Sequence, residues 1–150
     1  MRPHPVDHAV HRPDHPAYIM AATGESVSYA ELDARANRGA RLIRALGLTR
    51  GQGMAVLMDN SPRYFEILWA AERSGIYCTC ISSKLNAAEA EYIVRDGDCR
   101  VLIASKGVAA LAAELRPGRN AIRRRTTASP MAHADRHLAG LSCVQQRADE

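Results

Sequence analysis

Between residues 28 and 115 the apolar positions change repeatedly from helical spacing to short continuous runs. Residues 28–46 place apolar side chains at three- and four-residue steps, which is the spacing of one face of an α-helix. Ser28 and Glu31 form the S-x-x-E capping pair of a helix start, and Gly47 is placed to end the helix in the left-handed conformation. The residues expected to face the core are Leu32, Ala36, Ala40, Ile43 and Leu46.

Three strands are predicted next, at 54–58, 76–81 and 100–104. The first is a short unbroken apolar run between turn residues, which is typical of a strand buried on both faces, and the second is rich in β-branched and aromatic residues. Each strand precedes a stretch that we predict to be helical, and these stretches are 62–74, 87–95 and 106–115. The residues expected to point inward from the first two helices are Phe65, Leu68, Trp69, Ala88, Tyr92 and Ile93.

Strands that alternate with helices of this length predict an α/β fold with a partial parallel sheet of about three β-α units. Sheets of this kind place ligands at the carboxyl ends of their strands. The polar residues at those ends are Asp59-Asn60-Ser61 and Ser82-Ser83. This edge is therefore the expected place for a ligand.

Residues 1–16 contain four histidines spaced by four, three and four positions, interspersed with prolines. One helix would bring these histidines to one face as metal ligands, but the prolines argue against a helix. We therefore expect a flexible lead-in and no metal site. The histidines of the lead-in are His4, His8, His11 and His15; the other two in the chain are His133 and His137.

The cysteines and glycines lack the spacing of known sites. Cys78, Cys80, Cys99 and Cys143 form no C-x-x-C pair, and we interpret Cys78 and Cys80 as core fillers on one face of a strand. Gly51 and Gly53 precede a strand, whereas a phosphate loop follows one, so both are expected to be turn residues. We therefore assign no catalytic or metal-binding residue, and we leave cofactor-binding residues unassigned.

The net charge of the chain, +4, lies in its last 35 residues, because residues 116–150 hold seven arginines against three acids. We expect this segment to be a basic, disordered tail in which Arg123-Arg124-Arg125 is a solvated charge run. The body between the lead-in and the tail has no net charge, so a nucleic-acid partner is not expected. No apolar stretch is long enough for a membrane span, and we expect a cytoplasmic protein.

Several short patterns resemble the opening of AMP-forming acyl-CoA synthetases over about residues 14–115, and the nearest likeness is to bacterial fatty-acid–CoA ligases. The patterns that carry the resemblance are Tyr29-x-Glu31-Leu32, Asn37-Arg38-x-Ala40, Leu46-Gly47-x3-Gly51, Asn60-Ser61, Phe65, Trp69-Ala70-Ala71-x3-Gly75 and Ile81-Ser82-Ser83-Lys84-Leu85-x3-Glu89-x2-Tyr92-Ile93. Residues 17–115 would then be part of the N-terminal α/β domain of such an enzyme.

The resemblance implies a two-step reaction in the full-length family. A carboxylate attacks the α-phosphate of Mg²⁺-bound ATP and forms an acyl-adenylate, and coenzyme A then displaces AMP to form a thioester. The family's Ser/Thr/Gly-rich loop with its lysine, its aromatic-Gly-x-Thr-Glu segment, its ribose-binding Asp and its C-terminal lysine do not occur in this sequence. No catalytic residue is therefore carried over, and we expect no bound cofactor in this chain.

The resemblance and the periodic pattern are both expected to stop after Pro117. Because the chain has 18 arginines and two lysines, which suggests GC-rich coding, we hypothesise a truncated or frameshifted ligase gene. Three functions remain open: an N-terminal ligase fragment that is inactive alone, a non-enzymatic α/β module that pairs with a separately encoded remainder, and a nucleic-acid-associated protein that acts through the arginine tail.

Overall fold

A computed structural model describes residues 4–115 in full and the backbone of 122–126 and 141–146. Helices and strands alternate along most of this length. The elements are α1 (Pro5–His11), β1 (Pro16–Ile19), β2 (Ser26–Ser28), α2 (Tyr29–Ala45), β3 (Gly53–Leu57), α3 (Arg63–Ser74), β4 (Tyr77–Ile81), α4 (Ala87–Asp96), β5 (Cys99–Ser105), a 3₁₀ turn (Lys106–Val108), α5 (Ala109–Glu114), β6 (Ile122–Thr126) and β7 (Leu141–Gln146).

Reciprocal side-chain caps begin two of the helices, as the sequence predicts. At α2 the Glu31 N–H donates to Ser28 Oγ at 3.3 Å, and the Ser28 N–H donates to Glu31 Oε2 at 2.9 Å. At α4 Asn86 and Glu89 make the same exchange, with both distances at 3.0 Å. These bonds satisfy amides that a helix start leaves without a partner. The prediction for the end of α2 is also confirmed, since Gly47 has a φ of +82°.

The parallel part of the sheet has three strands, as predicted. β3 lies between β4 and β5 and pairs in parallel with both, so that Val56 is opposite Cys80 on one side and Ile103 on the other. One face packs against α2 and α3 through a core that includes Ile43, Met54 and Ile67. The other face packs against α4 and α5. β3 and β5 are therefore buried on both faces, which explains their apolar side chains. β4, at the edge of the sheet, has only Ile81 fully buried.

Two strands of the tail extend the sheet. β7 pairs antiparallel with β5 and β6 pairs antiparallel with β7, so the strand order is β4-β3-β5-β7-β6. From the sequence, this tail is expected to be irregular, with no strand at Arg123-Arg124-Arg125, but these arginines lie in β6. Strand pairing supplies the order that the local pattern lacks, because β5 offers unpaired backbone groups along its free edge. The rest of the tail, including His133 and His137, lies outside the described residues.

The lead-in forms α1, which corrects the expectation that its prolines prevent a helix. Pro5 occupies the first turn of α1 and Pro13 follows the helix. Proline is tolerated in the first turn because the N–H there has no partner within the helix. The prolines therefore bracket the helix and do not interrupt it. After α1, the antiparallel strands β1 and β2 lead the chain into α2.

The inward faces of α3 and α4 differ from those expected. Buried side chains on α3 include Ile67 and Ala70, whereas Phe65 is 44% exposed and Trp69 is half-buried. On α4 the buried side chains are Ala90 and Val94, whereas Tyr92 is 67% exposed. Small and aliphatic side chains fit the narrow space over the sheet. The large aromatic side chains lie at its margins.

Candidate ligand edge and aromatic cavity

The carboxyl ends of β3 and β5 meet at the edge where the sequence predicts a ligand. The Asp59 N–H donates to Ser105 Oγ at 3.3 Å, and the Ser105 hydroxyl donates to Asp59 Oδ2 at 3.2 Å. Asp59 belongs to the predicted set. Ser105 was missed, although the same rule about strand ends would have found it at the end of the third strand.

Gly107 lets the Asp59 carboxylate lie against the 3₁₀ turn. A Cβ at this position would overlap Asp59 Oδ2, so any larger residue would displace the carboxylate. Lys106 is exposed beside it. The ligand edge, by which we mean Asp59, Ser105, Lys106 and Gly107, thus presents a carboxylate, a hydroxyl and an amine. These groups can hydrogen-bond a polar ligand.

The other predicted edge residues include two serines that shape their own loops. Ser61 Oγ accepts the Arg63 N–H at 3.3 Å before α3. Ser82 Oγ accepts the Lys84 N–H at 3.2 Å after β4. Asn60 is exposed, whereas Ser83 is half-buried. These bonds assign Ser61 and Ser82 a role in the turns that follow the strands.

An aromatic cavity of about 240 Å³ lies between α1, β1, α2 and α3. The Tyr18 hydroxyl donates to the Pro62 carbonyl at 3.2 Å, and its ring stacks on Phe65 with 5.0 Å between centroids. Burial, and then the charge of Glu66, raise the pKa of Tyr18 to about 12. The cavity is lined by Pro5, His8, Ala17, Tyr18, Tyr29, Leu32, Phe65 and Trp69.

A polar network joins α2 to α3 close to this cavity. Arg35 Nη1 donates to Glu66 Oε1 at 3.1 Å, and the Glu66 side chain is 5% exposed. Arg73 donates to both Asp33 and Asn37. A carboxylate this deeply buried needs a paired cation. We therefore assign Arg35 and Glu66 to holding the two helices in register.

The cysteines within the described residues differ in environment. Cys78 is half-buried beside the core, and burial, then the neighbouring Cys80, raise its pKa to about 12. Burial also raises the pKa of Cys99. Cys80 is exposed, so its predicted role as a core filler is wrong. A thiol that remains protonated at neutral pH is a poor nucleophile, which gives Cys78 a packing role.

The lead-in histidines contact aromatic rings. His4 meets the Trp69 ring edge-on with 5.2 Å between centroids, and His8 lies 4.8 Å from Tyr29. The His15 ring stacks on the Tyr29 ring with 6.3 Å between centroids. Among the described residues, no group of three or more His, Cys, Asp or Glu side chains could hold a metal ion. The contacts of His4 with Trp69 and of His8 with Tyr29 contribute to the packing of α1 against α3 and α2.

Comparisons with known proteins identify the fold. The family model described as "AMP-binding enzyme" matches residues 6–146, and the chain therefore belongs to the AMP-binding enzyme family. The match continues beyond Pro117, so the expectation that the resemblance stops there is wrong. The resemblance to the N-terminal part of bacterial fatty-acid–CoA ligases is confirmed.

Two curated relatives illustrate the likeness. The chain is 33% identical over 87 residues to the long-chain-fatty-acid–CoA ligase FadD13 of Mycobacterium tuberculosis, which covers 58% of this chain and 17% of FadD13. It is 32% identical over 102 residues to the 3-hydroxybenzoate–CoA ligase of an Aromatoleum species, which covers 68% of this chain and 19% of that ligase. The chain thus spans less than a fifth of either relative.

Solved structures give the same result. A fatty acyl CoA synthetase of Mycobacterium tuberculosis superposes with a TM-score of 0.71 at 28% identity, over 77% of this chain and 23% of that one. The N-terminal domain of FACL13 from the same organism superposes with a TM-score of 0.69 at 29% identity, over 73% of this chain and 27% of the other. Within the described ranges, no helix is long and apolar enough to cross a membrane.

Proposed function

We propose that this chain supplies the N-terminal α/β unit of an ATP-dependent fatty-acid–CoA ligase. In the complete enzyme a fatty acid would be adenylated and then transferred to coenzyme A. The observation that carries this proposal is the family match over residues 6–146. The 33% identity to a long-chain-fatty-acid–CoA ligase supports a fatty acid as the carboxylate, and the 32% identity to a 3-hydroxybenzoate–CoA ligase makes an aromatic acid the alternative. A cytoplasmic location, where ATP and coenzyme A are available, belongs to the same proposal.

We also propose that the chain alone does not activate a carboxylate. The residues at the ligand edge do not fit a triphosphate. The Asp59 N–H already donates to Ser105 Oγ, and the Ser105 hydroxyl already donates to the Asp59 carboxylate. The Asp59 carboxylate would also repel phosphate oxygens. Phosphoryl transfer needs several fixed cations and amides, and the loss of one such donor can lower the rate by about 10²–10³. ATP, Mg²⁺ and coenzyme A would therefore be held by other parts of a complete enzyme.

The direct test is ATP–pyrophosphate exchange with long-chain fatty acids. We expect the purified chain alone to show no exchange above a reaction without protein, while FadD13 assayed in parallel should show exchange. If the chain alone exchanges label, and the Asp59→Ala variant of the chain loses that exchange, the proposed inactivity is wrong and the ligand edge is an active site.

A second candidate is a non-enzymatic α/β module that pairs with a separately encoded remainder. It is favoured by two aromatic side chains that face solvent, Tyr77 at 73% exposure and Tyr92 at 67%. Aromatic side chains of this kind are enriched at protein interfaces. Co-expression with the remainder of a homologous ligase tests this candidate. We expect the two chains to co-purify, and the Tyr92→Asp variant to weaken their association; separate elution of the wild-type chains would contradict it.

A further inference from the structure

The helix α1 begins at a histidine that acts as its cap. His4 Nδ1 accepts the Val6 N–H at 3.2 Å, and its ring packs edge-on against Trp69. Because Nδ1 accepts this bond, the single proton of the neutral ring lies on Nε2. Nε2 is 4.0 Å from Glu72 Oε1 on α3. The neutral ring with its proton on Nε2 therefore suits both neighbours.

Protonation of His4 would remove this cap. The Nδ1 atom would become a donor and would face the Val6 N–H, which is also a donor. The added positive charge would lie at the N-terminal end of α1, where the helix dipole is itself positive. A helix as short as α1, with seven residues, forms only with support from its cap and its packing. Loss of the cap should therefore release it.

The charged groups around His4 only weakly oppose the release of α1 when His4 is protonated. Glu72 faces it from α3, but its side chain is 58% exposed, so its attraction for a protonated ring is screened by water. On α1 itself, Asp7 lies in the first turn and is also partly solvated. α2 contributes Tyr29, which faces His8, and Arg12 donates to His8 Nδ1 at 3.0 Å. The Arg12–His8 contact is exposed, so repulsion between Arg12 and a protonated His8 would be screened by water.

Release of α1 would open the aromatic cavity, because Pro5 and His8 form part of its wall. Trp69 and Tyr29 lie beneath these two residues. We propose that α1 is a pH-dependent lid over the aromatic cavity and that His4 is the residue that switches it. The lid is closed while His4 is neutral and opens as His4 takes up a proton. This property is independent of the catalytic role of a complete ligase.

Trp69 is the one tryptophan of the chain, so its fluorescence reports on the lid. We expect its emission to shift to longer wavelength as the pH falls from about 8 to about 5, the range in which imidazole groups take up protons. The protection factors of the amides over residues 4–12, which correct for the intrinsic slowing of amide exchange at lower pH, should decrease over the same range. Exchange is the decisive measurement, since a charge beside the indole could alter fluorescence without any movement of α1.

Three variants complete the test. Asparagine caps helices but does not titrate, so His4→Asn should keep α1 protected at the lower pH and lose most of the transition. His4→Ala should lower the closed-to-open ratio about fivefold at neutral pH. His11→Asn, at the exposed end of α1, should titrate as the wild type does. The proposal is overturned if the protection factors over residues 4–12 are independent of pH, or if His4→Asn retains the full transition.

Discussion

Glu66 is the charged residue that is buried among the described residues. Its buried carboxylate depends on Arg35 at 3.1 Å, and removal of one partner of such a pair leaves an uncompensated charge. Because the Arg35 side chain is itself 19% exposed, water can partly replace it. We predict that Arg35→Ala lowers the free energy of unfolding by about 2 kcal/mol in urea denaturation.

Arg41→Ala provides the matched control, since Arg41 is an exposed arginine on the same helix. It should change the free energy of unfolding by no more than about 0.5 kcal/mol. Equal effects from the two variants would show that Glu66 does not depend on Arg35.

Cys78 predicts a dependence of stability on alkaline pH. Its pKa is raised from 9.0 to about 12 by burial and by Cys80, so the unfolded chain loses this proton at lower pH than the folded chain does. The resulting stabilisation is fully present below pH 9 and is lost as the pH rises towards 12. In urea denaturation between these limits, Cys78→Ala should show a shallower decline than the wild type. Parallel declines would contradict the assignment.

Local chemistry at single residues was predictable where it involves neighbours in the chain. Ser28 with Glu31, and Asn86 with Glu89, form the expected caps because both partners lie within one turn. The burial of Phe65 and Tyr92 was not predictable in the same way. Hydrophobicity shows that a side chain can be buried, but the space over the sheet, which small residues such as Ala70 and Ala90 fill, decides which one is.

At the scale of elements, α2 and α3 approach closely at Gly39. A Cβ on Gly39 would lie 2.7 Å from the Ala70 Cβ, which is too close without a shift of one helix. Alanine would favour the helix by about 1 kcal/mol, but overpacking costs about 1–3 kcal/mol. We predict that Gly39→Ala lowers the midpoint of thermal unfolding.

The double variant Gly39→Ala with Ala70→Gly should recover part of this loss, because the new methyl group would occupy the space of the old one. A Gly39→Ala variant that is more stable than the wild type would show that the helices separate easily at this point.

The helices and strands that depend on local sequence patterns were predicted, whereas those that depend on distant contacts were not. The alternation of apolar runs and helical spacing predicted the three parallel strands and the helices between them. The helix α1 was not predicted, because several prolines nearby were taken to prevent a helix. Pro5 lies in the first turn and Pro13 lies beyond the end, and proline is tolerated at both places. The strands β6 and β7 were missed because they depend on the free edge of β5, which is far away in the sequence.

At the scale of the whole molecule, the tail completes the sheet beside β5. Removal of residues 116–150 would take away β6 and β7 and leave the backbone groups along one edge of β5 without partners. Open strand edges promote self-association. We predict that this deletion lowers the urea midpoint and gives concentration-dependent oligomers in sedimentation velocity. A monomeric deletion variant with an unchanged midpoint would mean that β7 adds nothing to the fold.

The candidate site illustrates the limit of sequence reasoning at this scale. The rule about strand ends located the edge that holds Asp59, but the pairing of Asp59 with Ser105 joins residues that are 46 positions apart. The aromatic cavity combines α1, β1, α2 and α3, so no single local pattern could indicate it. The family resemblance was visible in short motifs because caps and turns recur at fixed spacing.

We propose that a ligase of this family binds ATP through residues outside this chain. Calorimetric titration of the chain with Mg²⁺–ATP measures this directly. We expect no saturable heat of binding at millimolar nucleotide, in contrast to FadD13 titrated under the same conditions. Saturable binding with one equivalent of ATP per chain, abolished by Asp59→Ala or Lys106→Ala, would contradict the account.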